Sequence, residues 1–144
     1  MSLKKVNTVL ATACALFVLY LGLSFILTPE TSTQGVGLPN WPAGNGDGDG
    51  FLIMKGTREL AMGLVIGILL VTGHRRALGW VLLMEAVAPF GDMINVLAHH
   101  GSIAAAFGIH GLTSALIAIN GLLILRETGK AHKAPAPAPA AQPA

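Results

Sequence analysis

Charge is the first thing this chain lacks. Only 11% of its 144 residues are Asp, Glu, Lys or Arg, against about 25% in soluble domains. With 53% hydrophobic residues and a mean hydropathy of +0.65, this is a membrane composition of single-domain length. A single cysteine, Cys14, excludes an internal disulfide framework and any Cys-based zinc site. It lies in an apolar stretch and is expected as a small core residue. The net charge is only +2, and the basic residues stand at segment ends rather than on one face, so there is no nucleic-acid footprint. The sequence has no nucleotide loop, no haem motif and no redox cysteine pair, and no motif requires a cofactor. His99 and His100 have no third ligand beside them, so no metal site is expected.

What is present is a set of long apolar runs. Four segments, about 6–27, 51–73, 77–98 and 102–125, all exceed the ~20 residues a helix needs to cross ~30 Å of hydrocarbon. The expected fold is therefore all-α, a four-helix transmembrane bundle over residues 1–130. The first segment follows Lys4-Lys5 but is too apolar for too long to be a signal peptide, and no small-x-small site precedes Thr28-Pro29, so it is expected as an uncleaved anchor. Lys4, Lys5, Arg75, Arg76, Arg126, Lys130 and Lys133 all flank one set of helix ends, while 28–50 and 99–101 contain no Lys or Arg. That asymmetry places both termini in the cytoplasm. The expected location is a multi-pass integral membrane protein, in the inner or plasma membrane if the source is bacterial.

The connection 28–50 is rich in Gly, Pro and Asn. Connections of this length are often lids or binding loops. Its "NGDGDG" imitates the start of a calcium loop, but the closing glutamate position is Gly56, so the motif fails and a flexible turn is expected. Trp41 and Trp80 stand where interfacial anchors are expected, and Tyr20 is expected at an interface or in packing. Gly63 with Gly67, and Gly111 with Ala115 and Ala118, form small faces that allow close helix approach. The Pro/Ala-rich end, residues 131–144, is expected to be a disordered tail.

Against this background the few charges at membrane depth stand out: Lys55, Arg58 and Glu59 in "MKGTREL", then Glu85, Asp92 and His110. Each central charge costs about 2.5–3.5 kcal/mol on insertion scales, and such residues usually face the bundle interior and mark a site. Counting from the outer helix ends, Glu59 and His110 lie roughly 12 Å deep and Asp92 roughly 9 Å deep. Glu85 and Asp92 are seven apart on one helix face and Asn95 shares it; His110 and Ser114 are four apart. These spacings imply a polar cavity near the outer leaflet with Glu85 as its deeper floor. Glu59, Asp92, His110 and Glu85 are the candidate acid/base groups. Arg58, Lys55 and Asn95 are the candidate substrate-binding groups, the two cations suiting developing negative charge or an anionic group. Pro89 cannot donate to the Glu85 carbonyl, so a kink is expected there, freeing that carbonyl for Arg58 or a ligand. The competing reading pairs Arg58 with Asp92 and Lys55 with Glu59 as an interhelical lock.

"KGTREL" with Gly63, "RRALGW", "PFGDMINVL" and "IHG" together resemble the domain-of-unknown-function family numbered 4267, small four-helix integral membrane proteins distantly similar to the DoxX-like group. The resemblance covers roughly residues 6–125. It carries over to Lys55, Gly56, Arg58, Glu59, Gly79, Asp92, His110 and Gly111; many members have Asp where this chain has Glu59. It implies the architecture and no activity. The functional expectation is a membrane protein that binds or transforms a lipophilic small molecule, such as a terpenoid, quinone or epoxide, by acid/base chemistry. The alternative is an accessory or structural subunit whose charges are an ion-pair network. The expected partners are the bilayer, a lipophilic small molecule and, if it oligomerises, a second copy of the chain.

Overall fold

In the computed structural model the described residues are 2–39 and 46–132, and within them every regular element is helical. The order is α1 (Leu3–Leu27), α2 (Pro29–Ser32), a 3-10 turn (Thr33–Gly35), α3 (Gly46–Val71), α4 (Arg75–Glu85), α5 (Val87–Ala98), α6 (Ile103–Ala105), a π-helical turn (Ala106–Gly111) and α7 (Leu112–His132). Trp41, Asn45 and the stretch 133–144 lie outside the described residues. Helix α7 runs to His132, two residues into the expected tail.

Among the described residues three helical stretches are long and apolar enough to cross a membrane: Leu3–Leu27, Arg75–Ala98 and Ile103–Gly129. Helix α3 has 26 residues, but Lys55, Arg58 and Glu59 interrupt its apolar run. The outward faces fit a lipid solvent. Leu16, Tyr20, Leu23 and Leu27 of α1 are all exposed, as are Leu64, Ile68 and Val71 of α3, with Val71 at 85%. Water-soluble monomers rarely leave such apolar faces open. Trp80 is exposed near the start of α4.

Two hairpin-like pairs organise the molecule: α1 packs along α3, and α4 along α7. Glycines set both crossings. A Cβ on Gly56 would stand 2.6 Å from the Gly22 carbonyl oxygen, and one on Gly22 would stand 2.8 Å from the Leu60 backbone nitrogen. Gly79 and Gly121 meet in the same reciprocal way. Gly63 packs on Leu19 as a small-face residue, but Gly67 has nothing within 4 Å. That corrects the expected Gly63–Gly67 seam: each four-residue step rotates ~40° around a helix, so the row started at Gly63 has turned off α1 by Gly67. Likewise Gly111 meets Met93, whereas Ala115 is exposed.

The apolar core gathers Ala11, Ala15, Ile66, Leu78, Leu82 and Ile124, with Cys14 against it. At the helix ends beside it, Arg75 donates from Nε and Nη2 to both oxygens of Glu127 at 3.0 and 2.9 Å, and from Nη1 to Thr8 at 2.9 Å. Fully buried Asn7 donates to the same carboxylate at 3.0 Å. A bidentate guanidinium–carboxylate pair is geometrically specific, and this one fastens α1, α4 and α7 together.

Three boundaries differ from expectation for physical reasons. Helix α3 starts at Gly46, not Phe51, so Asp47 and Asp49 of the failed calcium motif occupy its first turn, where the helix dipole favours anions. The third apolar run is broken at Ala86, between α4 and α5, one turn before Pro89, whose missing N–H leaves the Glu85 carbonyl without its helical donor. Ser114 donates to the neighbouring Ala86 carbonyl at 2.8 Å. The fourth run is interrupted, directly after α6, by the π-helical turn that ends at Gly111 and includes His110.

Candidate functional site

The halves of the two pairs away from the Arg75–Glu127 clamp diverge. There α5 packs against the π-helical turn, while α3 does not pack closely on α5. Between them lies a cavity of about 290 Å³, at the small end of the 300–1,000 Å³ usual for ligand sites. Its walls are mostly apolar, among them Phe17, Leu21, Phe25, Met62 and Ile117. Its polar lining is Lys55, Glu59, Glu85, Asp92, Asn95 and His110 together with Ser32 and Thr113.

Lys55 and Glu59 stand one turn apart on α3, beside the Gly56 crossing that presses α3 onto α1. Lys55 Nζ donates to Glu59 Oε1 at 3.2 Å and to Asp92 Oδ2 at 3.3 Å. It also lies 5.6 Å from the centre of the Phe25 ring, within cation–π range. Asp92 Oδ2 in turn faces His110 Nδ1 at 3.9 Å. The two carboxylates, the lysine and the histidine thus meet across three elements.

His110 has its orientation fixed from the other side. Its Nε2 lies 2.9 Å from the Val36 carbonyl. A carbonyl only accepts, so Nε2 carries the hydrogen and Nδ1, facing Asp92, is the nitrogen free to gain or lose a proton. Val36 belongs to the segment after α1, which forms a roof. Ser32, Gly35, Val36 and Leu38 all line the cavity. The roof is pinned where Gly37, at φ +86°, brings its carbonyl to the Ser102 amide at 2.8 Å. A Cβ there would stand 2.5 Å from that of Ala105, so the roof needs glycine both for its backbone angle and for contact. The first part of the long connection is therefore ordered over the site, through residues 29–38.

Glu85 closes α4 at the bottom of the cavity. It is 8% exposed, and no donor among the described residues reaches its Oε2. Asn95 lines the outer part and spends its backbone carbonyl on His99 Nδ1 at 2.9 Å.

Arg58 departs from expectation. It is exposed, does not line the cavity, and pairs with no acid among the described residues. On α3 it stands in the exposed row of Phe51, Met54 and Val65, one residue and ~100° from Glu59. The interhelical pair expected of Arg58 and Asp92 is made by Lys55 instead. Thr113, not Ser114, lines the cavity, because the π turn shifts the register of α7 that four-residue spacing assumes. The roof residues and Thr113 carried no charge to draw attention in the sequence.

Residues 15–124 match the model of a family described as Domain of unknown function (DUF4267). No curated protein and no solved structure matches the chain. The matched region runs from within α1 to within α7 and contains every cavity residue named above. The chain belongs to the DUF4267 family.

Proposed function

We propose that the protein is a four-span membrane bundle with both termini in the cytoplasm, and that its cavity binds a lipophilic small molecule and handles protons on it. Helix α3 would be the fourth span: it packs along α1, and Lys55 and Glu59 turn into the cavity rather than to lipid. The lysine-free, arginine-free connections support an outer-leaflet position for the cavity and its roof. The observation that carries the functional reading is the convergence of Lys55, Glu59, Asp92 and His110 on one apolar-walled cavity. Hydrophobic packing needs none of these groups, and each is expensive in hydrocarbon.

The chemistry follows from the hydrogen bonds. With Nε2–H held by Val36, a proton arriving at His110 lands on Nδ1, next to Asp92. Asp92 and Glu59 share Lys55 as a counter-charge, so either acid, once it has taken up a proton, can pass it to a ligand while the Lys55 ammonium stabilises the carboxylate that remains. This arrangement suits acid/base steps on a lipophile that enters from the bilayer. A second reading is favoured by one observation: Lys55 bridges Glu59 and Asp92 and so joins α3 to α5. On that reading the charges are an interhelical lock in an accessory or structural subunit. The lock accounts for neither the 290 Å³ of space beside it nor Glu85.

The test is mass spectrometry of lipophilic molecules that co-purify in mild detergent. A ligand site retains a defined molecule that Glu59→Gln and Asp92→Asn variants lose. A structural lock retains the same lipids in all three proteins.

A further inference from the structure

We propose that the head group this cavity takes is an ammonium, and that the ligand is a compact lipophilic amine whose cation sits against Glu85. The inference rests on the cavity being a ligand site, and goes beyond it in naming the ligand's chemistry.

Glu85 is more than nine-tenths buried, it lines the cavity, and its Oε2 meets no donor among the described residues. A carboxylate taken out of water without a partner is costly, so a group at this position must either hold a proton or receive a cation. Among the described residues no cation reaches it. The cavity is lined by three carboxylates and one lysine, and that lysine is already shared by Glu59 and Asp92. His110 leans on Asp92, and Arg58 lies outside. One positive charge deep in the cavity balances Glu85, and a ligand ammonium brings three donors with it. The walls suit the rest of such a molecule. Phe17, Leu21, Met62 and Ile117 offer apolar contact, and an aromatic face favours a cation nearby. The volume suits a compact hydrocarbon cage or ring better than a long chain.

The experiment uses the full chain in nanodiscs with three probes that share one cage and differ in head group: 1-adamantanamine, 1-adamantanol and 1-adamantanecarboxylate. Partition into empty nanodiscs is subtracted. The amine should bind saturably and at least tenfold tighter than the alcohol, and the carboxylate should not bind. Glu85→Gln should cost the amine at least tenfold while leaving the alcohol unchanged. Glu85→Asp, which keeps the charge but draws it back by one methylene, should give an intermediate loss and serves if the glutamine variant does not fold. Alcohol binding as tight as the amine's, or amine affinity unchanged in the Glu85 variants, overturns the ammonium assignment. So does failure of all three probes to bind. Whether the cavity holds any ligand is judged separately, from the molecule that co-purifies with the parent protein and not with Asp92→Asn.

Discussion

The Lys55 ammonium and the Asp92 carboxylate lie 3.3 Å apart and join α3 to α5, two helices that do not otherwise pack closely. The pair lies where the two helical hairpins diverge, so it lines the cavity between them. The unusual charges of "MKGTREL" divide accordingly: Lys55 and Glu59 face inward and Arg58 faces out.

The first prediction concerns orientation. A reporter active only outside the cytoplasm should be active when inserted at Ala43 and silent when fused after Lys130. The reverse pattern would move the cavity to the cytoplasmic leaflet and contradict the proposed topology.

The glycine crossings predict a contrast within one helix. Gly56→Ala puts a Cβ 2.6 Å from the Gly22 carbonyl oxygen and should cost about 1–3 kcal/mol, as overpacking does. Gly67→Ala meets nothing within 4 Å and should be neutral or stabilising by up to about 1 kcal/mol, from helix propensity. Thermal melts of both variants in the same detergent check this; equal shifts would mean that α1 and α3 do not cross where described.

At the opposite end, Glu127→Ala strands Arg75 and removes the acceptor of buried Asn7. Losing hydrogen bonds to a charged group should cost about 1.5–3 kcal/mol, read as a lower melting temperature. Ligand retention at the surviving temperature should be unchanged, because this clamp is not part of the cavity. Loss of ligand in a folded Glu127 variant would show that the two ends are coupled.

Pro89→Ala tests the helix break. It restores an N–H that can reach the Glu85 carbonyl, so the variant should melt at the same temperature or higher. Continuous helix through Ala86 also rotates Glu85 relative to Asp92, which should weaken ligand retention. A variant with parental retention would make the break incidental to the site.

How much of this was legible in the sequence varies by residue. Apolar length and the scarcity of charge disclosed the helices, since both follow directly from what hydrocarbon tolerates. Seven-residue spacing put Glu85 and Asp92 on one face, and they share the cavity despite the break at Ala86. Spacing failed where helix geometry departs from 3.6 residues per turn. The π turn moved Thr113, not Ser114, into the lining; Gly67, on a regular helix, fails for another reason, the ~40° that each four-residue step rotates. Arg58 was misplaced because adjacent charges on a helix cannot all face one way, and nothing local says which turns out. The roof was legible only as a long connection of the kind that often forms a lid or binding loop: its one charge, Glu30, does not line the site, and the Val36 carbonyl and the Gly37 turn are set by long-range contacts. The Arg75–Glu127 clamp has no local signal, because its two residues stand 52 apart in the sequence.

The most direct measurement separates ligand site from lock by removing the charges together. Lys55→Met, Glu59→Met and Asp92→Leu in one chain remove the whole network, whereas Lys55→Met alone leaves two carboxylates without their shared cation, costly when buried. The account predicts that the triple variant regains the melting temperature lost by Lys55→Met but no longer retains the lipophilic molecule found with the parent protein. If the triple variant regains stability and still retains that molecule at the parental level, the charges of α3 are a lock and the cavity reading is wrong.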